Sequence, residues 1–205
     1  MSMMTMLDPL RALLFACCLG ATVVAPAAAQ DLSDWTFDPD MLVAGGDDIV
    51  RRAPDRDIDT FFQAVHAASR TPDEASALCA LFDPDADRSL PGLNAAMSRF
   101  GPDSQQRFAN ALAGLFIAGS QNAPQAYDEA AAKQSLKAAG VSAAILHDGF
   151  VAGLNAEGNT ADNRKARCQS LRWLLDAAQQ RPLPERAAMT RLLMREGLQR
   201  LPQVQ

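Results

Sequence analysis

Apolar positions recur at helical spacing through most of this chain. In Asp162 to Arg181, the residues Cys168, Leu171, Leu174, Leu175 and Ala178 fall on one stripe of a single helix, with Arg164, Lys165, Arg167 and Arg172 off it. Ile58, Phe61, Phe62 and Val65 follow the i, i+3, i+4, i+7 rule, and Asp57 and Asp59 suit the first turn, so a helix is expected from Asp55 to about Ser69. Thr71-Pro72-Asp73-Glu74 reads as a capping box with proline at the first helical position. Ala75, Leu78, Cys79 and Phe82 form the stripe of the helix it opens. Ser89 to Phe100 predicts a short helix burying Leu93, Ala96, Met97 and Phe100.

Asp103 to Ser120 is the most apolar segment, with Phe108, Ala111, Leu112, Leu115, Phe116 and Gly119 at core spacing and small or apolar residues over much of the rest. A helix apolar nearly all round belongs inside, so this one is expected at the centre. Gln125 to Ala139 predicts a helix stopped by Gly140, with Ser142 capping the next, in which Ile145, Leu146, Gly149, Phe150, Gly153 and Leu154 share a face. Pro182 and Pro184 separate the Cys168 helix from a last one over Glu185 to Leu201, where Arg186, Arg191, Arg195 and Arg200 load one face. Met41 to Arg52 is a weak first helix, because each of Gly45 and Gly46 costs about 1 kcal/mol there. No long alternating Val/Ile/Thr run competes with helix. The fold class is therefore all-α, a compact bundle of about seven or eight helices, with one helical domain over 55–205 behind an arm and weak helix over 30–54.

Residues 1–29 read as a cleaved signal peptide. Arg11 precedes the apolar run Ala12 to Val24, and Ala27-Ala28-Ala29 offers small residues for cleavage before Gln30. The run is shorter than the roughly 20 residues a membrane span needs. Lipidation at Cys17 or Cys18 is disfavoured by the bulky Phe15. About 175 residues remain, enough for one domain with a sizeable core. The expected location is periplasmic or secreted. Export bears on the cysteines, because Cys79 and Cys168 are the only two beyond the leader and both lie on apolar helix stripes. In an oxidising compartment they are expected to form one buried helix-to-helix disulfide.

Charge is divided along the chain. Residues 31–103 hold six basic and fifteen acidic side chains, or −9; from Arg164 onward there are nine and three, or +6. Either the opposite halves dock on one another, the favoured reading, or the basic C-terminal helices offer a patch with Arg186, Arg191 and Arg195 to an acidic partner. Trp35 and Phe37, set among Asp31, Asp34, Asp38 and Asp40, either pin the arm to the domain or join such an interaction surface. An acidic exported chain without interleaved aromatic and basic residues argues against nucleic acid.

Motifs for chemistry are missing. The chain has no Gly-x-Ser-x-Gly, no His-Glu-x-x-His and no glycine-rich phosphate loop, and two histidines do not make a three-histidine zinc site. Asp83 to Ser89 alternates acids as an EF-hand loop does, but position six is Arg88 and position twelve is Asn94, so it reads as a solvated turn. His66 reads as a histidine at the core edge. His147 and Asp148 are adjacent on a helix and point about 100° apart, which does not suit a base and its orienting acid. No metal or cofactor is expected. The leading expectation is a non-catalytic protein-binding module of the cell envelope, such as an inhibitor or immunity-like factor. The alternative is an envelope-polymer hydrolase using a carboxylate pair drawn from Glu129, Asp148 and Glu157.

Overall fold

The computed structural model describes residues 39–83 and 85–199, with side chains from Gly45 onward apart from Leu90. Among these residues there are nine helices and no strand: α1 (Pro39–Arg52), α2 (Asp55–Arg70), α3 (Pro72–Ala80), α4 (Leu90–Met97), α5 (Pro102–Gln121), α6 (Glu129–Leu146), α7 (Phe150–Leu154), α8 (Ala161–Gln179) and α9 (Leu183–Gln199). The count exceeds the expected seven or eight because even the glycine-containing first segment forms a full helix.

Local chemistry sets most of the helix starts. Ser89, Asp128 and Thr160 each accept a hydrogen bond from a backbone N–H three residues on, at 3.3, 3.0 and 3.2 Å, and so satisfy one of the orphan donors of α4, α6 and α8. Pro72 occupies the first position of α3, but the capping box does not close, for the Thr71 side chain makes no cap bond. Glu74 instead accepts from the Gly101 N–H at 2.9 Å and the Ser104 hydroxyl at 2.7 Å, tying α3 to the start of α5. A local motif has been spent on a tertiary contact.

Gly140 does not stop a helix. α6 runs through it to Leu146, and Ser142, rather than capping, donates its hydroxyl to Ala138 O one turn back at 3.0 Å. The joint comes later, at Gly149, whose φ of 86° is open to glycine at little cost and begins the short α7.

Two apolar clusters form the core. The larger gathers Phe62, Ala68, Leu78, Phe100, Phe108, Ala139, Ala143, Phe150, Leu175 and Met189, with Phe108 edge-on to both Phe61 and Phe100 at 6.2 and 5.3 Å between centroids. Burying each such large side chain contributes about 1.5 to 3 kcal/mol. The smaller joins Val50, Ala53, Ile58, Leu115 and Ala187, where α1, α2, α5 and α9 meet. Small residues allow the close approaches: Ala132, Ala139 and Ala143 are fully buried on α6, which packs on α8 and α9, and a Cβ on Gly119 would strike the Ile49 backbone of α1.

α5 is not the central helix. Its buried residues are Ser104, Phe108, Ala111, Leu115 and Gly119, and it packs chiefly on α1 and α2, while Leu112, Phe116 and Ile117 remain exposed. α2 is the more central element, in contact with α3, α5, α8 and α9. Cys79 on α3 and Cys168 on α8 are joined in a disulfide, with 5.2 Å between Cα atoms and 89 residues of sequence separation.

Candidate functional site

The arginines of α9 turn inward. Arg191 is only 1% exposed; its guanidinium donates to Val50 O, to Ala53 O at 2.9 Å and to Asp55 Oδ1 at 2.8 Å. Those carbonyls lie at the end of α1, so the guanidinium caps a helix terminus that has no intrahelical donors left. Arg186 makes a two-pronged bond to Asp59, 2.8 Å to each carboxylate oxygen, which holds the guanidinium even more firmly charged than usual. Arg195 donates to Asp47 at 2.7 Å, with the same effect, and lies 5.5 Å over the Tyr127 ring. Partial burial pushes the Tyr127 phenol up, with Glu129 adding to the effect.

Arg191 therefore cannot belong to an exposed patch. Arg186 and Arg195 are also committed, each to an aspartate of the acidic first half. The seam is internal. The opposite charges of the two halves meet along α9, and Arg167 on α8 extends the pattern by pairing with Asp83 at 2.7 Å. Trp35 and Phe37, the other residues of the expected interaction surface, lie outside the described residues.

Two of the three carboxylates of the hydrolase reading, Glu129 and Asp148, do not converge. Glu129 and Asp148 flank α6 from opposite ends, about 27 Å apart along an 18-residue helix. Glu129 is paired with Lys133 at 2.5 Å, and that bond keeps its carboxyl below the ordinary range. Glu157 is exposed in the α7–α8 loop. A glycosidase needs its two carboxyl groups within about 10 Å of each other, which Glu129 and Asp148 do not meet. In the acidic turn, Asp83 holds Arg167, while the carboxyl of Asp87 is kept low by Ser89, first through its hydroxyl and then through its N–H, which donates at 2.9 Å. Among the described residues no three His, Cys, Asp or Glu side chains are grouped to hold a metal.

The two histidines are separate. His66 is buried at the core edge, stacked against Phe62, with Nε2 2.9 Å from Asp176 Oδ1 on α8. His147, at the end of α6, stacks on Trp173 with centroids 4.7 Å apart.

What stands out instead is apolar surface. Ile145 is 78% exposed, Leu146 71% and Val151 57%, all at the corner where α6 turns into α7. Val141, Leu154 and Leu193 continue it, each about half exposed. Beside this corner a shallow groove runs among α6, α7, α8 and α9, lined by Lys133, Leu136, Lys137, Gly140, Leu154 and Leu193, with Phe150 and Leu174 behind. Sequence reasoning put Ile145, Leu146 and Leu154 on one shared apolar face with Phe150 and gave no place to Val141 or Val151. The signal against that reading was present: residues 138–154 carry a single charge, Asp148, and hold more apolar side chains than one helix face can bury.

No family model, no curated protein and no solved structure matches the chain.

Proposed function

We propose that this chain is an exported, non-catalytic protein-binding module, of the kind that serves as an inhibitor or immunity-like factor, and that it receives its partner on the α6–α7 corner. The exposure of Ile145, Leu146 and Val151 within seven residues of the α6–α7 corner carries this reading, since large apolar side chains left on a surface mark interaction sites. A leader-like N-terminus and a disulfide in the domain support an oxidising, extracytoplasmic location.

The test places a photo-crosslinking amino acid at Ile145 in the exported protein, with Lys165 on α8 as an exposed control. A discrete protein adduct at residue 145 and none at 165 is the expected result; a blank at both positions would sink the proposal. Intact mass of the same material should begin at Gln30 and show two thiols that resist alkylation until reduction.

A further inference from the structure

We propose that the groove among α6, α7, α8 and α9 seats an acidic amphipathic helix of the partner protein, an inference that rests on the binding reading above. The groove has the parts that such a helix needs. Its floor is apolar, with Leu136, Leu154, Leu174 and Leu193 from four different helices, and its α6 rim is cationic, with Lys133 and Lys137 one turn apart. Lys133 is shared with Glu129 and also feels the carboxylate of Glu196, whereas Lys137 is exposed and has no ion pair among the described residues.

Gly140 adds a separate observation. It lies in the interior of α6, where glycine is less favourable than alanine, and a Cβ built on it meets nothing within 4 Å. Gly45, Gly114 and Gly197 are open in the same way, but Gly140 is the one that lines this groove. Its missing side chain leaves a notch one turn beyond Lys137. An incoming helix with an apolar residue every third or fourth position would set one side chain into that notch and its neighbours over Leu154 and Leu193. Its flanking carboxylates would then meet Lys133 and Lys137. The concave shape favours a helix over a lipid surface, which requires a protruding face.

The experiment is selection from a display library of twenty-residue helical peptides with randomised faces, using the oxidised protein as target. Selected peptides are expected to share an apolar stripe flanked by Glu or Asp. Their affinity should fall tenfold or more with Lys133→Glu/Lys137→Glu and, separately, with Gly140→Leu; exchanging the peptide carboxylates for lysines should restore binding to the double-glutamate variant. Peptides without acidic flanks, or indifferent to these substitutions, would overturn the inference. Binding lost only with Ile145→Asp would remove the groove and leave the corner as the site. If no peptide is enriched while residue 145 still crosslinks to a partner, the helix class is wrong and the binding reading survives; if neither occurs, both fall. Sedimentation with phosphatidylglycerol vesicles that is abolished by Lys133→Glu/Lys137→Glu would assign the groove to an anionic bilayer and also overturn it. Far-UV spectra and melting curves of each variant establish that the fold is retained.

Discussion

The two sides of α9 use their residues in opposite ways. Toward α1 and α2 it presents Arg186, Arg191 and Arg195, and every one of these charges is consumed by an aspartate or a helix-end carbonyl of the same chain. Toward α6 and α7 it presents Leu193, half exposed in a groove that nothing in the described residues fills. Charge has gone inside and apolar surface outside, the reverse of the usual expectation for each. Net charge along a sequence thus says which segments attract one another, and does not say whether that attraction is left over for a partner.

This contrast breaks most readily at Arg191. Replacing it with alanine leaves Val50 O and Ala53 O buried without donors, and is expected to cost about 3 to 5 kcal/mol, read as a lower urea midpoint at unchanged slope. A loss below about 1 kcal/mol would mean that the seam does not hold α1 in place. Removing the disulfide as the Cys79→Ala/Cys168→Ala pair should cost about 2 to 4 kcal/mol, seen as a difference from the oxidised protein that disappears when dithiothreitol is added. Asp59→Ala removes the two-pronged partner of a mostly buried Arg186 and should cost about 1 to 3 kcal/mol. On the other side of α9, changes should leave stability intact or improve it. Ile145→Asp is expected to stay within about 0.5 kcal/mol, and Gly140→Ala to gain about 0.5 to 1 kcal/mol, because its Cβ meets open space in an α-helical conformation. A destabilisation of either variant by more than about 1 kcal/mol would show that this surface is structural.

The legible part of the fold was what depends on period alone. The stripes carrying Cys79 and Cys168 follow from 3.6-residue spacing, and the bond between them follows once both stripes face one core. The illegible parts depended on neighbours. α5 looked central because Ala, Gly, Leu and Phe surround it, but composition states how much apolar surface a helix has, not how many helices come to cover it. Glu74 looked committed to its own helix start and was taken by Gly101 and Ser104, 27 and 30 residues away. Gly140 looked like a terminus because glycine ends helices more often than it interrupts them, yet the alanines around it propagate α6 regardless. For the candidate site, the arginines were placed on one face of α9, although Arg186 and Arg195 stand nine residues and so half a turn apart; the favoured docking of unlike halves is the reading their partners support. The direction of that face was beyond reach, since a guanidinium looks the same in sequence whether it meets water or an aspartate from residues 47–59.

The link between Cys79 and Cys168 also makes a covalent ring, and α4, α5, α6 and α7 all lie on it, together with the exposed loops at 122–128 and 155–160. A protease that cuts either loop would open the ring without releasing a fragment: the nicked chain would gain only the mass of one water until a reductant separated the pieces. The apolar corner would stay tethered to the rest of the bundle through a first cleavage.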